Sequence, residues 1–222
     1  MLSIVVPVLN EAAGIVPALV ALAPLRAAGH ELIVVDGGSS DGTAALAAGM
    51  ADRLLRVERG RARQMNAGAV AARGGALLFL HADTVLPEGA VDAIRGALDG
   101  AAVWGRFDVR IAGRSALFPL IATLMNWRSR CTGIATGDQA IFVRRAAFEA
   151  VGGFPDQPLM EDVELSRRLL RLGAPACLRL RVVTSGRRWE RSGVWRTVRL
   201  MWRLRLLYWL GTPADRLAED YR

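Results

Sequence analysis

The sequence predicts an α/β protein with a mostly parallel central sheet and flanking helices. Three observations carry this expectation. Short apolar runs, Leu32-Ile33-Val34-Val35 and Ala76-Leu77-Leu78-Phe79-Leu80, have the length and character of strands buried on both faces. Each run ends in an acid-bearing polar turn: Asp36-Gly37-Gly38-Ser39-Ser40-Asp41-Gly42 after the first, His81-Ala82-Asp83-Thr84 after the second. Ala-rich stretches with helical spacing lie between the runs. Ligands of open α/β sheets bind beyond the carboxyl ends of the strands. Taken alone, Asp36, Ser39 and Asp41 read as caps of the next helix. Two acids at the ends of two such strands, Asp36 and Asp83, point instead to one shared site.

Composition narrows the chemistry. The 222 residues suffice for one large α/β domain or two small ones, and no linker-like stretch divides them. The net charge is +8, and every basic residue is Arg. Without Lys, a Walker P-loop, a Schiff-base lysine and a pyridoxal enzyme are excluded. His30 and His81 are the only histidines, too few for a His-rich metal site. Neither lies near a G-x-S-x-G elbow. Cys131 and Cys177 form no C-x-x-C and are expected to be buried thiols of a reducing compartment. No basic leader precedes the first strand, and the apolar stretch 115–127 is too short to span a bilayer. The expected location is cytoplasmic, with peripheral contact at the inner face of the plasma membrane as an option.

In chain order, residues 2–9 form the first strand and 14–28 a helix, with Ile15, Leu19, Leu22 and Leu25 on one side. Gly29-His30 turns the chain into the strand 31–35, followed by a helix over about 42–50 and a short strand at 53–57. Gly60-Arg61-Ala62-Arg63 then opens an Ala-rich helix. Free N–H groups at a helix start, with two arginines, suit an anion such as a diphosphate, although a solvated basic turn fits equally well. The strand 76–80 leads to Asp83 and a helix at 88–98. No G-x-G-x-x-G occurs, which disfavours a dinucleotide.

Beyond residue 100 the alternation loosens. A strand is expected at 103–111, a helix at 115–128, and a turn at Thr136-Gly137-Asp138-Gln139 feeding a strand to 143. A short helix at 145–151 closes on Gly152-Gly153-Phe154-Pro155. Residues 160–173 read as a helix with acids first and arginines later, as the macrodipole favours. A last strand at 176–184 precedes a basic loop holding Arg187, Arg188 and Trp189. The segment from 194 to 208 reads as a basic helix with tryptophans. It fits an interfacial membrane helix as well as one docked on the domain. No nucleic-acid-reading motif accompanies the positive charge, so nucleic acid is not an expected partner.

Four motifs, in order, resemble family 2 glycosyltransferases of the GT-A fold, over roughly residues 2–172. They are Ile4-Val5-Val6-Pro7-Val8-Leu9-Asn10-Glu11, the Val34-to-Thr43 stretch around Asp36, Leu80-His81-Ala82-Asp83 at the D-x-D position, and Gly152-Gly153-Phe154 followed by Glu161-Asp162. The His-Ala-Asp, the Thr-Gly-Asp-Gln and the ending Tyr208-Trp209-Leu210-Gly211-Thr212-Pro213 are similar to a small bacterial subgroup. That subgroup is associated with radical-SAM proteins or arsenosugar biosynthesis.

The resemblance implies a GT-A, Rossmann-like fold and inverting transfer of a sugar from a nucleotide-diphosphate donor to an acceptor hydroxyl. It implies Asp162 as general base with Glu161 beside it. Pro7, Glu11 and Asp36 would line the nucleoside pocket. Asp83, with His81 in place of the usual first acid, would hold Mn²⁺ or Mg²⁺. Arg61, Arg63 and Arg188 would assist the leaving diphosphate. Asp138, Gln139, Gly153, Phe154 and Trp189 would face the acceptor, a small molecule or a lipid. Gly37 stands where relatives carry a second acid, which leaves the donor base open. The expected organisation is a transferase domain at 1–193, with a donor half to about 100 and an acceptor half from 101, and a basic helical tail at 194–222. A nucleotidyltransferase would be expected to carry a Gly-rich loop and a Lys, both missing here. A non-catalytic nucleotide-sugar-binding protein would have no need of both Asp83 and Asp162.

Overall fold

The structure is a computed structural model, and it describes residues 1–221. Strands β1 (Leu2–Val8), β2 (Glu31–Asp36), β3 (Arg53–Arg56) and β4 (Ala76–Phe79) are joined by helices α1 (Ala12–Ala27), α2 (Thr43–Ala47) and α3 (Arg61–Ala71). These strands pair in the order β3-β2-β1-β4, all parallel. β1 and β2 are almost wholly buried, as continuous apolar runs require. Alternate residues face opposite layers: Ile4, Val6, Val8, Leu32 and Val34 point to one, Val5, Ile33 and Val35 to the other. Helix α3 lies so close to the second layer that a Cβ on Gly68 would stand 2.3 Å from Val5 Cγ1.

The second half follows as β5 (Thr84–Val85), α4 (Ala90–Asp99), β6 (Trp104–Ala112), α5 (Phe118–Thr132), β7 (Phe142–Arg144), α6 (Arg145–Ala150), α7 (Glu161–Leu169) and β8 (Ala176–Ser185). It extends the sheet to the order β3-β2-β1-β4-β7-β6-β8-β5. β7 runs antiparallel to β4 and β6, and β8 parallel to β6. The last helices are α8 (Arg187–Ser192), α9 (Val194–Trp209) and α10 (Ala214–Tyr221).

Three elements differ from expectation. Residues 187–192 form a helix, not a loop, bracketed by Gly186 and Gly193. The two-residue β5, too short for a periodic signal, is held against β8, where Thr84 and Thr184 hydroxyls meet at 3.1 Å. Helix α10 was unanticipated because its pattern only makes sense once Leu217 has a partner: Leu217 packs with Leu204, Leu159 and Met160. Cys131 also departs from its reading as a buried thiol. It is exposed, on the solvent side of a helix that buries Phe118, Ala122 and Ser129. Cys177 is half-buried.

Candidate active site

The loops after β1 and β2 are stitched together before they build anything else. The first N–H groups of α1 have no helical partner. Ser39 Oγ accepts from Asn10 N (2.9 Å), Thr43 Oγ1 from Glu11 N (2.8 Å) and Asp41 Oδ2 from Ala12 N (3.0 Å). The polar cluster after β2 therefore caps α1, the helix before it. Asp36 is fully buried at the end of β2 and accepts from Ser39 N and Gly38 N. Burial would raise its pKa, but these bonds and the Arg56 guanidinium at 3.3 Å hold it below the usual carboxylate value.

Beyond the carboxyl ends of β1 and β4 lies a cleft of about 690 Å³. Pro7, Glu11, Arg61, His81, Asp83, Asp138, Glu161, Asp162, Arg188 and Trp189 all line it, so residues far apart in the sequence converge there. Among the described residues, three non-glycine residues adopt the left-handed region: Met160, which lines the cleft, Asn10 between the cleft residues Leu9 and Glu11, and the buried Ala140, two residues after Asp138. Such backbone strain concentrates at functional sites.

Helix α7 presents the acids. Its first turn carries Glu161, Asp162 and Glu164, its last Arg167 and Arg168. Asp162 Oδ2 accepts from Gly137 N (2.8 Å) and Oδ1 from Val163 N (2.7 Å). Burial nevertheless pushes the Asp162 carboxyl up, opposed by those N–H groups and Arg61, with the Asp138 charge adding to the rise. Burial and the Asp162 charge likewise push Glu161 up. Arg61 Nη1 sits 3.5 Å from Glu161 Oε1, with about half of the Arg61 side chain (49%) open to the cleft. It is the cation of this acid pair. Burial would lower the Arg61 pKa, but Glu161 together with Tyr221, Asp162 and Asp138 raises it.

His81 Nδ1 lies 3.5 Å from Asp138 Oδ1. Burial would raise the Asp138 carboxyl, yet His81, Arg61 and Arg188 hold it low. His81 Nε2 is buried without a partner, and a Cβ on Gly137 would lie 2.5 Å from it. The imidazole is thus held between Asp138 and Gly137, with Nδ1 facing Asp138 and Nε2 left without a protein partner. Among the described residues, no three His, Cys, Asp or Glu side chains gather as a metal site. Asp83 alone offers a carboxylate at the D-x-D position. One carboxylate suits a Mg²⁺-type cation only when substrate oxygens complete its shell.

Several expected site residues go elsewhere. Arg63 points outward to Asp156 (2.9 Å) and Glu58 (2.9 Å), because adjacent helix positions diverge. Phe154 is buried against Phe79 and Phe148. Asn66 brackets it, donating to Phe154 O (2.8 Å) and accepting from its N–H (3.0 Å). Gly153, with a positive φ, packs on Asn66 and Phe148, so Gly153-Phe154 buttresses α3 and does not line the cleft. Gln139 is fully buried and accepts from Thr136 N (3.2 Å). Asp36 does not reach the cleft wall.

Other wall residues were not anticipated. Gln64, Arg205 and Tyr221 line the cleft. The Arg188 guanidinium lies 3.8 Å from the Tyr221 ring centre and donates to its hydroxyl. Only docking of α9 and α10 brings the last two to the site. Arg128 carries two buried, unpartnered nitrogens (Nε and Nη2), and burial lowers its pKa.

Residues 3–152 match the sequence pattern described as Glycosyl transferase family 2. The chain belongs to that family. The fold is also similar to those of solved structures. Staphylococcus aureus TarS in complex with UDP-GlcNAc aligns over 83% of this chain and 58% of its own, with TM-score 0.65 and 16% identity. The Pyrobaculum calidifontis mannosyltransferase PcManGT, in complex with GDP-Man and Mn²⁺, aligns over 82% and 56%, with TM-score 0.63 and 23% identity. Glucosyl-3-phosphoglycerate synthase from Mycobacterium tuberculosis, with Mg²⁺ and UDP, aligns over 83% and 70%, with TM-score 0.62 and 23% identity. Among curated relatives, a PGL/p-HBAD biosynthesis glycosyltransferase of Mycobacterium bovis is 33% identical over 168 residues, 69% of this chain and 63% of its own length. An uncharacterised Mycobacterium tuberculosis protein is 35% identical over 115 residues, 50% of this chain. The matched region spans 63% of the former's length and 36% of the latter's.

Proposed function

We propose that this family 2 protein transfers a sugar, with inversion, from a nucleoside-diphosphate sugar to an acceptor hydroxyl. The observation that carries the reading is the pairing, in one cleft, of a raised, backbone-held carboxyl (Asp162) with cations suited to a leaving diphosphate (Arg61 and Arg188). Asp162 takes the proton of the attacking hydroxyl. A base poised above the ordinary carboxylate range does so efficiently near neutrality, contributing roughly 10²–10⁴-fold. Gly137 and Val163 N–H groups orient it. Arg61, restrained by Glu161, and Arg188 receive the negative charge that develops on the departing nucleotide. Asp83 would hold a divalent cation together with diphosphate oxygens, and the cation would neutralise the same charge. His81 acts as a positioning residue for Asp138 in this reading, and Trp189 and Asp138 form the acceptor side. Similarity to the small bacterial subgroup rests on the His-Ala-Asp and Thr-Gly-Asp-Gln motifs.

The test is release of nucleoside diphosphate from UDP-, GDP-, ADP- and dTDP-sugars with Mn²⁺ or Mg²⁺, with an acceptor panel. Asp162→Asn is expected to bind donor with unchanged affinity and to lose turnover by at least a hundredfold. Turnover at the wild-type rate in Asp162→Asn would remove the assigned base.

The tail supports a second proposal, contact of residues 194–211 with an anionic membrane surface. Trp195, Trp202, Leu206 and Trp209 are 57–77% exposed and spaced to form one helical stripe. Arg196, Arg199 and Arg203 flank it, and α9 contains no acid. The opposite face of α9 packs on the domain through Leu204. Aromatic rings beside cations match the headgroup region of an anionic bilayer. No helix among the described residues is long and apolar enough to cross a membrane. Co-sedimentation with phosphatidylglycerol vesicles, lost in the Trp195→Ala/Trp202→Ala/Trp209→Ala variant, is expected. Concentration-dependent self-association without vesicle binding would assign the stripe to a second copy instead.

A further inference from the structure

We propose that Gln64 reads the nucleobase, selecting a base whose ring nitrogen carries a hydrogen. The inference rests on the donor-binding reading above and adds the chemical class of nucleotide. Gln64 is buried, yet it lines the cleft beside Pro7 and Val8. Its Nε2 donates to Val8 O and to Val35 O, both at 2.8 Å. These two carbonyls fix the amide's orientation, since only the nitrogen can satisfy them. Both Nε2 hydrogens are therefore occupied, and among the described residues nothing donates to Oε1. The one polar atom that Gln64 has left is an acceptor that cannot become a donor.

Gly37 explains why this oxygen stands where it does. A Cβ on residue 37 would lie 2.9 Å from Gln64 Oε1, 3.0 Å from Cδ and 3.1 Å from Nε2. Any side chain at 37 would displace the amide, so the bare backbone at 37 and the long amide at 64 are one arrangement. The amide fills the space over Gly37 at the carboxyl ends of β1 and β2, the edge where an α/β sheet receives a nucleoside. The neighbouring acid, Asp36, is fully engaged by Ser39, Gly38 and Arg56 and leaves base recognition to others.

An acceptor with no protein partner, facing the cleft, favours a ring N–H once a bound base covers it. Uracil and thymine present one at N3 and guanine at N1. Cytosine and adenine present lone pairs there, and the acceptor would be left unpaired against them. Sites built to hydrogen-bond a substrate reject analogues that leave a buried group unpaired.

The experiment is calorimetric titration of the full chain with UDP, dTDP, GDP, CDP and ADP in the presence of Mg²⁺, together with N3-methyl-UDP and N1-methyl-GDP. At least one of UDP, dTDP and GDP is expected to bind about tenfold or more tightly than CDP and ADP. When UDP or GDP is the preferred ligand, methylation at its ring nitrogen should abolish that preference. Gln64→Met, close in volume and without the amide, should bring CDP within about threefold of UDP. A merely structural role would weaken all nucleotides alike and leave the ratio unchanged. Gly37→Ala, which displaces the same oxygen while keeping Gln64, should erode the ratio too. Preferential or equal binding of CDP or ADP overturns the base assignment while leaving the donor reading intact. So does wild-type selectivity in a folded Gln64→Met. Failure of every nucleotide to bind overturns both.

Discussion

Replacing Arg61 by Met isolates the electrostatics of the acid pair. In the wild type the guanidinium is 3.5 Å from Glu161 and lowers the pKa of both Glu161 and Asp162. Two unit charges at that distance interact by about 1 kcal/mol in a water-like medium and by about 4–5 kcal/mol at an effective dielectric constant of 20. Half of the Arg61 side chain is exposed, so screening places the contribution near the lower end, about 1–2 kcal/mol. One pKa unit corresponds to about 1.4 kcal/mol. Removing the cation makes the carboxylates harder to ionise, so the pair titrates about one unit higher. The base must be ionised to act, and the acidic limb of kcat/KM against pH is expected to move up by about one pH unit. The plateau should fall as well, since a cation facing the leaving group is gone. The assay is the pH–rate profile of nucleoside diphosphate release by wild type and Arg61→Met under identical donor and metal. An acidic limb that stays in place, or moves to lower pH, would refute the placement of Arg61 beside the base.

Glu161→Gln should separate stability from activity. A carboxyl whose folded pKa lies above its ordinary value of 4.5 lends stability below that value and loses it as pH rises through the folded pKa. The variant should therefore melt higher than wild type at neutral pH, with the advantage shrinking as pH falls toward 4.5, while turnover drops. Gly137→Ala should push the His81 ring, whose Cε1 and Nε2 would both lie 2.5 Å from the new Cβ, and loosen the N–H that holds Asp162. The expected result is a loss of about 1–3 kcal/mol in denaturant titration together with a fall in kcat. Gly68→Ala, remote from the acids, should cost a similar amount by forcing α3 away from Val5, read as a lower melting temperature.

Local signals along the chain carry the α/β class and the first four strands with their helices. Continuous apolar strands, turn chemistry and Ala-rich helices are local signals, and they matched β1 to β4 with α1, α3 and α4 to within about two residues at each end, while α2 is shorter than expected. Glu11 and Asp83 were legible for the same reason: a residue that follows a parallel strand lands at the carboxyl edge wherever that strand sits in the sheet, whereas Glu161 and Asp162 follow no strand and were named only through the family resemblance. Tertiary structure decided which neighbours reach the cleft. Arg61 and Arg63 share a turn, yet one faces Glu161 and the other Asp156. Phe154 follows a family-like Gly-Gly, yet two aromatic rings, Phe79 and Phe148, draw it into the core. Gln64 looked like an ordinary helical residue until the packing of α3 on β1 and β2 set its amide over Gly37. Tyr221 reaches the site only because Leu204 and Leu217 bury each other beside Leu159 and Met160. Contacts of this kind depend on distances across the fold, and a pattern read along the chain carries no such distances.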